Sequence, residues 1–380
     1  MKILQTPARF YPSTGGVENY ARCLGRELVG FGHDVTVLCA NEPKSEEEEF
    51  IDGIRVRRLP YVAKIANTNI TLRLPLEMMR EDFDLVHAHL PTPWSADWSG
   101  FVSALRGRPL VLTYYNEIVG EGAAGWLAAL YNRTSLKILL RRASRIIVIG
   151  PEYANFSPHL KGFAEKIEAI PVGVDLERFV PEGTATDGRT LFFLSVLDRH
   201  HRYKGLEDLL FALAAVKRDV PEVKLLVGGG GELLDHYRRL SSRLHIEDDV
   251  EFLGFLPEEI LAKYYNRSDI FILPSNSRAQ EGFGMVLLEA MACGKPVICT
   301  EVAGVAGDVM ARGAGLVVEP SNQNELARAI SHLLKNGSVA RKMGEAGRRL
   351  VEERYGWREV ARRVEEVYGE LVYSEVGDKK

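Results

Sequence analysis

The 380-residue chain has no apolar run approaching the roughly 18 residues that a membrane span requires. Its start, MKILQTPARFYP, is one short strand and a proline, without the long apolar core of a secretory leader. Together these absences predict a cytoplasmic protein that stays on the side of its synthesis. Cysteine is scarce: Cys23, Cys39, Cys293 and Cys299 form no C-x-x-C, and all but one lie in apolar runs. That excludes a zinc or disulfide framework and predicts reduced core thiols. A charge excess is missing too. The 48 basic and 52 acidic residues leave a net −4, which argues against nucleic acid as the main partner. There is no short-period repeat, and the one charge cluster, Glu46–Glu49, reads as a solvated loop.

What is present is the composition of a globular enzyme, 46% hydrophobic and 26% charged, long enough for two domains. Short Val/Ile/Leu runs alternate with helical patterns: 2–5, 34–39, 84–88, 109–114, 146–149, then 191–196, 224–227, 250–252, 270–273 and 296–299. Such alternation predicts α/β domains with parallel sheets, Rossmann-like, with ligands at the carboxyl ends of the strands. The glycine- and proline-rich segment 170–189 reads as the linker. It divides residues 1–172 from 173–356, and an amphipathic helix, 358–372, closes the chain.

The most informative stretch is DIFILPSNSRAQEGFGMVLLEAMACGKPVICT, residues 269–300. It reads as strand, polar loop, a glycine turn at Gly282-Phe283-Gly284, and a helix from Met285 to Cys293 stopped by Gly294 and Pro296. Glu289 is the lone polar side chain of that helix, and a buried carboxylate needs a partner, either an internal cation or a ligand. Glu281 lies eight residues earlier, roughly 12 Å away along a helical rise. That is about the reach of a nucleotide sugar. One carboxylate suits a ribose diol, the other sugar hydroxyls, and the amides between them suit phosphate.

Other positions carry weaker signals. Gly15-Gly16 opens a helix and either holds phosphate or is only a turn. His87 and His89 alternate onto one face of a strand, without the carboxylate that a metal site would add. Asp82-x-Asp84 stands at the start of a strand and reads as chance. Arg199, Arg202 and Lys204 crowd a strand-to-helix turn, either around an anion or as a solvated loop. KLLVGGGGE, 224–232, lets a base or ribose approach the backbone. Between Trp126 and Arg145 an apolar pattern alternates with arginine and lysine. It reads either as a helix touching anionic lipid or as a half-buried helix with a charged outer face.

The E-x7-E arrangement in EGFGMVLLE, with PS before it and ACG-P-V after it, resembles retaining GT-B glycosyltransferases, specifically glycosyltransferase family 4, the group 1 transferases. The resemblance implies two Rossmann-like domains facing a cleft, with the last helix, 357–380, returning to the first domain. It implies that Glu281 faces the donor sugar and Glu289 binds ribose, with Gly282, Phe283, Gly284 and Met285 at the diphosphate. Gly16 is expected to face that diphosphate from the other domain. The family's R-x4-K-G motif matches Arg199 and Lys204-Gly205, which implies stabilisation of the leaving group. The usual preceding glycine is Asp198 here, and Arg202 could substitute for Arg199. Gly230 falls at the family's G-x-G turn. Gly254, Phe255 and Leu256 fall in its base-contacting loop, and Ala303-Gly304 and Asp308 stand where it often has Gly-Gly and Glu. His87 and His89 match an H-x-H on the acceptor side. In LTYYNEIVGE the family histidine is replaced by Tyr115, whose phenol can donate a hydrogen bond but is no base near pH 7.

The expected function is transfer of a hexosyl group from a nucleoside diphosphate sugar to a glycan or lipid-linked acceptor hydroxyl, with retention. No cofactor or metal is expected, and contact with the inner membrane face would be peripheral. A nucleotide-sugar-binding protein with little turnover is the alternative that Tyr115 keeps open. A nicotinamide-dependent oxidoreductase would need G-x-G-x-x-G, which the chain lacks.

Overall fold

The computed structural model describes the chain apart from residues 14, 66–67, 119–121, 151–156, 184–185, 279 and 378–380. It divides into two compact units, Met1–Gly173 with Trp357–Lys380, and Val174–Gly356.

In the first unit the apolar runs become β1 (Lys2–Thr6), β2 (Asp34–Ala40), β3 (Glu48–Ile51), β4 (Ile54–Leu59), β5 (Ala63–Ile65), β6 (Thr68–Ile70), β7 (Leu85–Leu90), β8 (Leu110–Tyr114), β9 (Arg145–Val148) and β10 (Ile167–Ala169). Eight of them form one sheet in the order β10-β9-β8-β7-β1-β2-β4-β3, while β5 and β6 pair separately. Only β3 runs antiparallel within the large sheet, against β4. Here the structure corrects an expectation. Glu48 and Glu49 lie on this edge strand, not in a solvated loop, because Arg55 and Arg58 of β4 pair with them. A second correction concerns Trp126–Arg145. It is two helices, Gly122–Arg133 and Ser135–Arg142, broken at Thr134 (φ −118°, ψ −87°), and Arg145 opens β9.

The core of this unit gathers Leu4, Leu38, Val86, Ala88, Leu112 and Ile146 from the central strands. The last helix, Trp357–Gly377, packs on the Gly16–Gly30 helix and buries Val360, Val364 and Tyr368. Its first ring fills the space beside Gly173, where a Cβ would lie 2.4 Å from Trp357.

In the second unit β11 (Thr190–Leu194), β12 (Lys224–Gly228), β13 (Val250–Gly254), β14 (Ile270–Leu273), β15 (Val297–Thr300) and β16 (Gly315–Val318) form a parallel sheet in the order β13-β12-β11-β14-β15-β16. The chain enters at the centre, winds out through β12 and β13, then returns to β14 and winds the other way. The reversal opens a crevice beyond the carboxyl ends of β11 and β14, the usual ligand position in such sheets. The first unit has the same reversal between β1 and β7. All four cysteines are buried and unbridged. Among the described residues no helix is long and apolar enough to cross a membrane.

Candidate active site

In the second unit the segments that follow β11 and β14 meet at the reversal point. After β11 a 3-10 turn, Arg199–Lys204, ends at Gly205, whose left-handed backbone (φ +80°) starts the Leu206–Asp219 helix. A Cβ on Gly205 would lie 2.0 Å from the Pro274 carbonyl oxygen, so the Lys-Gly pair is seated directly against the segment leaving β14. Lys204 Nζ donates to both carboxylate oxygens of Glu281, at 3.0 and 2.8 Å. Ser275 Oγ donates to Oε2 at 2.5 Å. Glu281 is only 4% exposed. The expected sugar ligand and the expected phosphate ligand are therefore one buried ion pair. An ammonium carries three protons; two serve Glu281 and one remains.

From Glu281 the chain turns through Gly282, Phe283 and Gly284 into the Met285–Ala292 helix. Gly284 is left-handed (φ +86°). Phe283 is buried against Tyr355, and Gly304 backs the turn so closely that a Cβ there would lie 2.8 Å from the Gly282 carbonyl oxygen. The positive end of the helix dipole faces this turn.

Glu289 follows one helical turn after Met285 and is half-buried. Its Oε2 accepts a 2.6 Å hydrogen bond from the Tyr265 hydroxyl. Tyr265 is itself sealed among Phe179, Phe192 and Phe271. Among the described residues no cation pairs with Glu289. Desolvation pushes its pKa up to about 7, opposed by the Tyr265 bond and the more distant Arg178 charge.

The other two basic side chains of the 199–204 turn do not converge on a shared anion. Arg199 is largely solvent-exposed and pairs with Glu232 at 3.4 Å. Arg202 pairs with Glu207 at 2.9 Å. Each cation has its own carboxylate, and only Lys204 reaches Glu281.

The glycine run after β12 is also committed to the protein. Ser195 N–H donates to Gly228 O at 3.1 Å and Leu197 N–H to Gly230 O at 2.9 Å. Gly229 (φ +114°) has no room for a Cβ, which would fall 1.8 Å from the Ser195 carbonyl oxygen. Gly230 has more space, with Phe255 N nearest at 3.7 Å. Gly254 accepts from Gly229 N–H at 2.7 Å; beyond it Phe255 is 81% exposed while Leu256 is buried.

In the first unit β7 and β8 carry a buried polar cluster. His87 bonds Thr113 Oγ1 at 2.7 Å and the Tyr368 hydroxyl at 2.6 Å. His89 Nδ1 bonds the Tyr115 hydroxyl at 3.0 Å, and the two imidazoles stack at 4.6 Å. Both histidines are wholly buried. Burial lowers both pKa values, that of His89 to about 3, so the rings are neutral. They sit inside the fold. Tyr115 is half-buried with its ring edge-on to Tyr20, and burial raises its phenol well above the ordinary range. Its hydroxyl serves His89.

Gly16, at the helix start, has open space where a Cβ would lie, whereas a Cβ on Gly15 would fall 2.3 Å from the Glu18 carboxylate. Arg9 Nε holds that carboxylate at 3.2 Å. Asp82 pairs with Lys2, and Asp84 accepts from the Lys2 amide, a structural use for that motif. Asp308 bonds Arg354 and Tyr355. The ends of two predicted segments, Thr14 and residues 119–121, lie outside the described residues. Sequence reasoning missed Tyr265, Ser275 and Tyr368, since nothing in local spacing ties a tyrosine to a carboxylate 24 positions later.

Comparison with known proteins comes in two halves. Residues 177–350 match the family model "Glycosyl transferases group 1", and residues 14–178 match "Glycosyltransferase Family 4". The GDP-mannose-dependent alpha-(1-6)-phosphatidylinositol monomannoside mannosyltransferase of Mycolicibacterium smegmatis is 27% identical, over 94% of this chain and 96% of that protein. Sucrose-phosphate synthase from Thermosynechococcus elongatus superposes with a TM-score of 0.75 at 26% identity, over 98% of this chain and 99% of that one. HepE from Anabaena, solved in complex with UDP, gives 0.76 at 20% identity, over 98% and 100%.

Proposed function

From a chain that belongs to the group 1 glycosyltransferases of GT-B fold, we propose a retaining enzyme that moves a hexosyl group from a nucleoside diphosphate sugar to an acceptor hydroxyl. The observation that carries this reading is the Lys204–Glu281 pair at the sheet reversal, beside the glycine turn that opens the Met285–Ala292 helix. Lys204 has one proton left for a phosphate oxygen, and the dipole of the helix favours the same charge. As the glycosidic bond breaks, both would stabilise the charge gathering on the departing diphosphate. Glu281 then holds the ammonium in place and contacts the sugar from its rim. Glu289 Oε1 would accept from ribose, its other oxygen being fixed by Tyr265.

Arg199, held only by its exposed Glu232 partner, could swing to the diphosphate; the ion pair is a surface one and worth little. Gly16, with open space on its own flank, would also bind the diphosphate. Gly230, Gly254, Phe255 and Leu256 would border the base. Tyr115 and the histidines behind it support the acceptor side through position, not through proton transfer. The leaving phosphate oxygen takes the acceptor proton, so no separate base is required, and no metal enters. The acceptor is a glycan or lipid-linked hydroxyl, reached at the cytoplasmic face of a membrane.

The test is turnover of a donor panel that includes GDP-mannose and UDP- and ADP-sugars, with the product anomer read by NMR. Retained configuration supports the reading. Inverted product, or tight nucleotide binding with neither transfer nor donor hydrolysis, would remove it. Full activity in EDTA is expected.

A further inference from the structure

The turn that delivers Lys204 to Glu281 holds one more basic side chain, His201, for which the ion pairs of Arg199 and Arg202 leave no explanation. In a 3-10 turn, residues three apart stand over one another, about 6 Å apart along the axis. Across Arg199–Lys204 that sorts the side chains into edges. Arg199 and Arg202 share one edge, both exposed and each with its own carboxylate. His201 and Lys204 share another, and both are half-buried, with Asp198 capping the turn before them.

Asp198 does more than cap. Its Oδ1 accepts from the His201 amide at 2.9 Å, the ordinary capping bond, and from His201 Nδ1 at 2.7 Å. Against desolvation, the bonds from His201 hold the Asp198 carboxyl below its usual range, so it is ionised. A carboxylate at Nδ1 keeps a proton there, and its charge favours a second proton on Nε2. Among the described residues Nε2 has no partner. The other charges packed about the turn answer one another: Glu207 takes Arg202 and His236, Glu232 takes Arg199, and Glu281 takes Lys204. Burial raises the phenols of Tyr203 and Tyr237, which stay neutral, and His200 is exposed. One imidazole is left over, set up to carry charge.

We infer that His201 is a second contact for the nucleoside diphosphate beside Lys204, its Nε2–H donating to a phosphate oxygen while Asp198 holds Nδ1–H. This rests on the function proposed above. Lys204 has one proton to give, and a diphosphate presents charge on two phosphorus centres. A spacing of about 6 Å along the turn suits the two phosphates of one ligand. His201 donates at Nε2 only as the imidazolium, because its Nδ1 proton is already committed to Asp198. Diphosphate binding therefore draws a proton from solvent onto Nε2 wherever the free ring is neutral. Asp198 is a positioning residue: it orients the ring and favours that proton.

Calorimetric titration of the full chain with GDP and with UDP tests this without turnover. His201→Ala should weaken binding at least about tenfold at pH 6, the size of a lost charged hydrogen bond, and the gap should narrow to within about threefold at pH 8.5. The ratio to wild type isolates His201, since the ionisations of Glu289 and of the nucleotide are common to both proteins. At pH 7.5, titrations in two buffers of different ionisation enthalpy should show wild type taking up more proton than His201→Ala. Asp198→Asn keeps a capping acceptor without the charge and should move the loss of affinity to lower pH. If His201→Ala fails to fold, His201→Gln keeps a donor without the charge and should show the same narrowing. A ratio near one at both pH values overturns the assignment and leaves the Lys204–Glu281 reading standing. An equal loss at both pH values makes the ring structural and overturns it as well. Failure of wild type to bind either nucleotide removes the proposed function, and this contact with it.

Discussion

Tyr265 and Glu289 share one 2.6 Å hydrogen bond, between a phenol enclosed by three aromatic rings and a carboxyl that no described cation pairs with. A carboxyl desolvated beside a neutral donor stays partly protonated near neutral pH, and that makes it a sensor of folding and, under the function proposed above, of donor binding.

Its sign can be worked through. The folded pKa of about 7 lies above the ordinary 4.5, so the folded state holds the proton longer than the unfolded one. Stability is unaffected below pH 4.5, falls as pH rises towards 7, and above that carries a deficit on the order of 3 kcal/mol. Glu289→Gln should flatten this slope in denaturant titrations between pH 5 and 8. The same variant should raise donor KM by about ten- to a hundredfold at pH 8, the size of a lost charged hydrogen bond, with a smaller change in kcat.

Lys204 and Glu281 offer a separation of stability from chemistry. Lys204→Ala leaves Glu281 buried and unpaired, which should cost about 3–5 kcal/mol in unfolding free energy along with most of kcat. Lys204→Met with Glu281→Gln should recover much of the stability and none of the turnover. Recovery of both together would mean that the pair is structural only.

Acid should act on the first unit through its histidines. His89 titrates near 3 and His87 well below its ordinary value, both from burial. Their contribution is complete above about pH 6.5 and is lost as pH falls towards 3. Replacing His89 by Gln should make the acid limb of the stability curve shallower by up to about 1.4 kcal/mol per pH unit. Tyr368→Phe should cost about 1–3 kcal/mol by leaving His87 Nδ1 unsatisfied, read by unfolding in urea.

Gly229→Ala places a methyl 1.8 Å from the Ser195 carbonyl oxygen at φ +114°. The second unit should then either fail to fold or unfold at a markedly lower temperature. Gly16→Ala, with open space around it, should leave the melting temperature nearly unchanged, and any loss would appear in donor KM.

The strands that a sequence reveals are those buried on both faces. Ile270–Leu273, apolar throughout, matches its predicted span, and β1, β2, β7 and β8 deviate only at their ends. Missed were β3 and β4, whose Glu48, Glu49, Arg55, Arg57 and Arg58 look like loop until each is seen to pair across strands, together with the short β5, β6, β10 and β16. At the site, position was legible and partnership was not. Glycine turns and E-x7-E follow from the local chain, but whether Lys204 faces phosphate or Glu281 depends on packing between β11 and β14. The buried roles of His87 and His89 were hidden for the same reason: their partners Thr113, Tyr115 and Tyr368 come from distant segments.

The bond from Val174 N–H to Tyr355 O, 2.7 Å long, closes the two ends of the second unit on each other. Formally, then, residues 174–356 are a cassette spliced into a host whose own chain resumes at Trp357, against Gly173. A fragment ending at 173 would lack the tryptophan and Tyr368 that finish its interior, so truncation is the wrong way to isolate that half. Excising the cassette and rejoining 173 to 357 through a few flexible residues should instead release two separately soluble pieces.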